Sequence, residues 1–374
     1  MNIGIICYPT AGGSGVVATE LAMALARRGH RVHLFSYAHP FRLPSFHENL
    51  IFHEVEVSSY PLFKYPPYDL ALAARLADVA AEEGVELLHA HYAVPHATSA
   101  WLAKQLVPSL PLRVVTTLHG TDVTLVGADP SYYRVVRFSL LHSDRITAVS
   151  QFLRQETLRE FAIDREILVI PNFVDTQRFV PLPRGSGRCF LAPRGEPILL
   201  HASNFRPLKR VGDVIRIFAL VRRQVEARLV LVGEGPERPV VQRLAEELGV
   251  ASDVAFLGEQ EYPERLYACA DLFLLTSEQE SFGLSALEAM SCGVPVVGTR
   301  IGGLPELVQD GQTGFLFPVG DVEGMAQAVL KLLRDAEFRG EMARRCRELA
   351  CERYDQARVV DLYERLYLDA LTRP

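Results

Sequence analysis

The order of apolar and polar positions divides the chain into two runs of alternating elements. Asn2–Cys7 is a short apolar run that predicts a strand. Val16–Arg28 carries apolar residues at helical spacing and stops at Gly29. Arg31–Ser36 reads as a strand, Asp69–Glu82 as a helix, Glu86–His91 as a strand and Pro95–Leu106 as a helix. Arg113–Leu118, Arg145–Val149 and Ile167–Pro171 read as further strands with helices between. Short apolar runs such as Val114-Val115 suit strands covered on both faces, and the alternation predicts parallel βαβ units. Pro181, Pro183, Gly185, Gly187, Pro193, Gly195 and Pro197 then interrupt the pattern as a linker. Beyond them strands are expected at Ile198–Ala202, Arg228–Val232, Val254–Leu257, Leu272–Leu275, Val294–Val297 and Phe315–Phe317, with helices near Val211–Arg223 and Pro236–Leu248. Helical patterns fill Val322–Leu371.

Composition narrows the class. A chain of 374 residues exceeds the size at which one core usually stops growing, which agrees with two domains. It is 49% hydrophobic and 22% charged, an ordinary globular balance that excludes a disordered or fibrous chain. The formal charge of −6 argues against nucleic acid as a partner. No apolar run reaches the ~20 residues of a membrane helix. No signal-peptide pattern precedes the first strand, so a cytoplasmic location is expected. The six cysteines form no C-x-x-C pair, so they read as buried thiols rather than as a zinc or redox motif. Only four basic residues are lysine (Lys64, Lys104, Lys209, Lys331), and only Asn2, Asn49, Asn172 and Asn204 are asparagine. That bias reads mainly as a property of the host.

Candidate chemistry lies where strands end. Gly12-Gly13-Ser14-Gly15 follows the first strand and opens a helix, so backbone N–H groups there can meet a small or anionic ligand. Ala18 stands where a full dinucleotide fingerprint has a third glycine, and no Walker lysine follows. His89 and His91 alternate on one strand face, yet no carboxylate completes a metal set. His119, before Gly120-Thr121-Asp122, stands at a strand terminus and can face a cleft. Arg206, Lys209 and Arg210 form a basic turn between strand and helix, a candidate anion cradle. Glu280 and Glu288 flank Ser281-Phe282-Gly283-Leu284, where free N–H groups begin a helix. From spacing alone these glutamates read first as ordinary surface residues and second as an acid/base pair, and spacing does not choose between them.

Taken together these motifs resemble the retaining family-four glycosyltransferases. The resemblance rests on Glu280-x7-Glu288 with Ser281-Phe282-Gly283, on Ala289–Val296, on Gly302-Gly303-Leu304-Pro305-Glu306, on Gly311–Phe315 and on the Gly12-Gly13 loop. Cys7–Thr19, Glu54–Leu72, His89–His96, Thr116–Thr124 and Ser203–Arg210 are most similar to the branch of that family joining N-acetylglucosamine to L-malate at the start of bacillithiol synthesis. Many relatives carry arginine where Asn204 stands here, and Arg206 is the candidate replacement for that charge.

The resemblance implies an α/β architecture of the GT-B kind: two facing Rossmann-like, doubly wound domains with a deep cleft between them. Residues 1–180, rejoined by a terminal helix over 354–374, would bind the acceptor, and residues 181–353 the nucleotide sugar. It implies UDP-N-acetylglucosamine as donor, no cofactor and no metal, and the absence of an Asp-x-Asp motif agrees. Glu288 is expected on the ribose, Glu280 on the donor sugar, and Lys209 with Asn204 and Arg206 about the diphosphate. Backbone N–H groups of Gly13, Phe282, Gly283 and Leu284 are expected there too, and His119 close to the reacting centre. Ser14, Tyr92, Thr121 and Arg137 are the expected acceptor contacts, Arg134 competing with Arg137 from the same helix face. The partners expected are small-molecule substrates, and homo-oligomerisation is left open. An inositol phosphate or polysaccharide acceptor, and a non-catalytic nucleotide-sugar binding protein, are the alternatives. A Rossmann dehydrogenase is disfavoured by Ala18 and by the Ser36-Tyr37 strand end.

Overall fold

A computed structural model describes residues 1–44, 46–57, 64–124, 127, 129–182 and 191–373. The chain forms two compact units, Met1–Asn172 with Ala357–Pro374, and Phe173–Gln356. The centre of the Pro/Gly-rich stretch, 183–190, lies outside the described residues.

The first unit holds strands β1 (Asn2–Ile6), β2 (Arg31–Ser36), β3 (Leu50–Glu54), β4 (Leu87–His91), β5 (Arg113–Leu118), β6 (Arg145–Ala148) and β7 (Ile167–Val169). They make one parallel sheet in the order β3-β2-β1-β4-β5-β6-β7. The order reverses between β1 and β4, which opens a crevice at the carboxyl ends of those strands. Helices cover both faces: Gly13–Arg27 is buried along most of its length, and Tyr68–Glu83 buries Leu72, Leu76 and Val79. The last helix, Gln356–Thr372, completes this unit. Its Tyr363 and Tyr367 are fully buried, each taking an aromatic area of about 150–250 Å² out of water. Arg28 pairs with Asp361 and Glu364 at 2.6 Å, and Arg145 with Asp369 at 2.8 Å.

In this unit two elements differ most from the sequence expectation. β3 was not expected: it is an edge strand bonded only to β2, and its side chains are mostly half-buried, so it lacks the continuous burial of strands such as β1, β4 and β5. The helix expected from Pro95 begins at Thr98. Ala93–Ala97 forms a wide turn in which Val94 is extended (φ −130°, ψ 132°). A residue before proline is pushed out of the helical region, which delays the helix.

The second unit holds β8 (Ile198–Ala202), β9 (Arg228–Val232), β10 (Val254–Phe256), β11 (Leu272–Leu275), β12 (Val296–Thr299) and β13 (Gly314–Phe317). Its sheet is again parallel, ordered β10-β9-β8-β11-β12-β13, with the reversal between β8 and β11. β12 starts two residues later than expected because Pro295 has no N–H for the ladder; its carbonyl accepts from Phe273 at 2.9 Å instead. Phe205, Phe218, Leu229, Leu231, Leu272 and Val329 meet in one core beneath the sheet. Among the described residues no helix is long and apolar enough to cross a membrane, and five cysteines are free thiols.

Candidate active site

In each unit most of the sequence-predicted residues collect at the carboxyl ends of the strands beside the reversal point, whereas Arg137 lies within the helix Pro130–His142. In the first unit the loop after β1, the end of β4 and the end of β5 converge. Ser14 lies in the first turn of the helix after β1 and its hydroxyl donates to the Tyr92 hydroxyl at 3.2 Å. Tyr92 follows β4 with φ 100° and ψ 140°, a conformation that ordinarily requires glycine and stores about 1–3 kcal/mol. Its ring lies 5.4 Å from Tyr8 and 5.5 Å from His119, centroid to centroid.

Asp122 holds the strained turn and the His119 loop together. Its carboxylate is buried and accepts from the backbone N–H of Gly120 at 2.9 Å, of His119 at 3.3 Å and of Ala93 at 3.3 Å. One side chain thus ties the end of β5 to the residue after Tyr92. Burial pushes the Asp122 carboxyl up to about 6, against the three N–H bonds that favour the charged form. Thr121 stands at the start of the short helix Thr121–Thr124.

A set of histidines lies beneath. His89 is fully buried, with Nδ1 2.7 Å from the Tyr367 hydroxyl and Nε2 2.7 Å from Thr117 Oγ1. His91 Nδ1 lies 2.9 Å from His119 Nε2. His96 Nδ1 donates to the His91 carbonyl at 2.5 Å. Burial holds the pKa of His89 and of His119 near 3 and that of His96 near 4, with neighbouring histidines adding to the effect at His89 and His119. These rings are neutral at physiological pH. The rings of His89 and His91 lie 4.3 Å apart, centroid to centroid, tilted by 40°, and each is hydrogen-bonded to other side chains; among the described residues no cluster of three or more His, Cys, Asp or Glu is placed to hold a metal ion.

In the second unit the basic turn after β8 meets the loop after β11. Lys209 Nζ lies 2.8 Å from Glu280 Oε2, both side chains largely covered. The turn is stapled from two sides. Thr276 donates to the carbonyls of Lys209 and Arg210 at 3.1 Å, and the Glu278 N–H donates to Leu208 at 2.9 Å. On the other side the Phe205 N–H donates to the Glu234 carbonyl at 2.7 Å. Gly235 (φ 154°) presses so closely on the Phe205 backbone that a Cβ would sit 2.6 Å from its carbonyl oxygen. Arg210 is engaged by Asp213 at 2.7 Å, whereas Asn204 and Arg206 are exposed and Arg206 makes no ion pair among the described residues.

Glu280 is fixed through its main chain. The Gly303 N–H donates to the Glu280 carbonyl at 2.9 Å, and a Cβ on Gly302 (φ 59°) would collide with that carbonyl. Gly283 adopts φ 99° and turns the chain into the helix Leu284–Ser291. Phe282 is buried, and Glu288, five residues into that helix, is 6% exposed rather than a solvated surface residue.

Residues 11–178 match the model of Glycosyltransferase Family 4, and residues 190–350 match that of Glycosyl transferases group 1. The chain is 46% identical to N-acetyl-alpha-D-glucosaminyl L-malate synthase of Bacillus anthracis, over 99% of this chain and 97% of that one. The chain belongs to the family-four glycosyltransferases. This glycosyltransferase is also 30% identical to a D-inositol 3-phosphate glycosyltransferase of Saccharomonospora viridis, over 96% and 90% of the two chains. Its fold is GT-B: it superposes on Anabaena HepE, solved in complex with UDP and glucose, with a TM-score of 0.82 at 21% identity, covering 98% and 99% of the chains.

Of the residues expected to act in this glycosyltransferase, the fold brings Ser14, Tyr92 and His119 together in one unit, and Lys209 with Glu280 in the other. Gly13 opens the helix that carries Ser14. Arg137 spends its Nε on the Phe161 carbonyl at 3.1 Å, which leaves its two terminal nitrogens, while Arg134 is exposed. Sequence reasoning missed Asp122, Tyr8 and Thr276 as supports. Asp122 was legible as the last residue of His119-Gly120-Thr121-Asp122, a short acidic side chain at a helix start. Thr276 carries no such signal.

Proposed function

We propose that this glycosyltransferase transfers N-acetylglucosamine from UDP-N-acetylglucosamine to the hydroxyl of L-malate, with retention at the anomeric carbon and without a metal, as the opening step of bacillithiol synthesis in the cytoplasm. The observation that carries this reading is the 46% identity, over nearly the full length of both chains, to an N-acetyl-alpha-D-glucosaminyl L-malate synthase. The geometry supports it. A departing diphosphate gains charge in the transition state, and a preorganised cation with helix-terminal N–H groups lowers that barrier. Lys209 supplies the cation, held by Glu280, and the turn at Phe282, Gly283 and Leu284 supplies the N–H groups. Glu288 takes the ribose hydroxyls and Glu280 the sugar ring. His119 hydrogen-bonds the donor sugar.

In the reaction the bond from the anomeric carbon to the diphosphate oxygen breaks as the bond to the malate oxygen forms on the same face. The malate hydroxyl proton passes to the departing phosphate oxygen, so no glutamate serves as nucleophile. Ser14, Tyr92, Thr121 and Arg137 hold the acceptor, whose two carboxylates suit hydroxyl donors and a guanidinium. The test is UDP release from UDP-N-acetylglucosamine with and without L-malate in chelator-treated buffer. Malate-dependent release is expected. Release no faster with malate than without it ends the assignment. Inositol 3-phosphate belongs in the same panel, because the chain is also 30% identical to a D-inositol 3-phosphate glycosyltransferase.

A further inference from the structure

The buried histidines decide which nitrogen of His119 carries its proton. The rings of His91 and His119 lie within 22° of coplanar, with centroids 5.1 Å apart and 2.9 Å between Nδ1 of the first and Nε2 of the second. The two are joined edge to edge, and one N–H must lie between them. A neutral imidazole has a single N–H, so only two arrangements exist. If His119 donates, the proton of His91 must sit on its Nε2. That atom is buried without a partner, so it would be an orphaned donor, a state proteins rarely tolerate. If His91 donates from Nδ1, its Nε2 is a bare lone pair.

The same cluster shows which of these it accepts. His96 faces the His91 carbonyl with Nδ1, and a carbonyl only accepts, so His96 is protonated there. Its Nε2 is therefore a bare lone pair, buried and unpartnered like that of His91. His89 cannot relieve His91, since both its nitrogens are already engaged. Burial keeps His91 far below the ordinary histidine range, which leaves no second proton to change the count.

We infer that His91 is a positioning residue that locks His119 in the Nδ1–H tautomer, so that His119 meets its ligand as a hydrogen-bond donor and not as a base. His119 Nδ1 has no partner among the described residues and is not among the sealed, unpartnered atoms. It is the nitrogen left for a ligand. What that N–H meets, a sugar oxygen, rests on the function proposed above; the tautomer itself does not. A donor at this position cannot take the proton of the acceptor hydroxyl, which must go elsewhere, and the departing phosphate oxygen is available.

The experiment uses the ligand-free, ¹⁵N-labelled protein and a two-bond proton–nitrogen correlation spectrum, with H119Q identifying the His119 signals. Wild type is expected to show the Nδ1–H pattern for His119. H91L removes the donor, and His119 is expected to move to the Nε2–H form that imidazole prefers in water. H91N, whose amide N–H stands where the Nδ1–H stood, is expected to restore the original pattern. An Nε2–H pattern in wild type, an unchanged pattern in H91L, or an H91N spectrum like that of H91L overturns the inference. If H91L does not fold, the wild-type and H91N spectra decide. Because no substrate is present, a failure here is distinct from a failure of the acceptor assignment.

Discussion

Replacing Lys209 by alanine separates the lysine's part in the chemistry from its part in the fold. Its ammonium lies 2.8 Å from Glu280, with 18% and 15% of the two side chains exposed. The pair is neither fully exposed, where such contacts contribute well under 1 kcal/mol, nor fully buried, where breaking one costs about 3–5 kcal/mol. A loss of about 1–2 kcal/mol is expected, because Glu280 keeps some water and its backbone anchor to Gly303. For a unit of this size that is a fall in Tm of a few degrees, roughly 2–4 °C per kcal/mol. Turnover should suffer far more. Removing a preorganised charge from a developing anion typically raises the barrier by about 2.7–4 kcal/mol, or about 10²–10³-fold in kcat. The assay is UDP release at saturating donor and malate, paired with a thermal melt. A kcat within threefold of wild type would show that Lys209 is not at the diphosphate. Loss of cooperative unfolding would mark it as structural.

Two further substitutions test the supports. Gly302→Ala places a Cβ against the Glu280 carbonyl at a φ of 59°; about 1–3 kcal/mol of stability should be lost, with kcat falling as Glu280 shifts, whereas unchanged melting and turnover would mean that the loop does not hold that residue. Asp122→Asn tests the buried carboxyl, which burial pushes up to about 6 from the ordinary aspartate value of 3.8. A raised carboxyl pKa means that ionisation opposes folding: its contribution is intact at low pH and lost as pH rises through about 4–6. Chemical denaturation should therefore show wild type losing up to about 3 kcal/mol relative to the variant between pH 4 and pH 7, and parallel pH profiles would refute that account.

The parts of this protein that repeat locally were open to reading from the chain. Buried parallel strands are continuous apolar runs, so β1, β9 and β11 stand out by composition alone. The edge strand β3 does not, because half of its surface answers to solvent. Pro95 and Pro295 mark places where pattern and backbone chemistry disagree, and in both the backbone prevailed.

By itself the sequence determined the two α/β runs, the glycine turns that end their strands and the chemical kinds of side chain placed there. A β–α junction is built from neighbours in the chain, and its preferences act over a few residues. Only the tertiary structure decided the pairings that give those side chains their properties. Lys209 meets Glu280 across 71 positions in the sequence, and His91 meets His119 across 28. Asp122 ties the loop after β5 to the turn after β4. Charge, tautomer and proton affinity depend on what lies within a few ångströms and on how much water is excluded. Those distances exist only once the sheet order has placed β4 beside β5 and β8 beside β11.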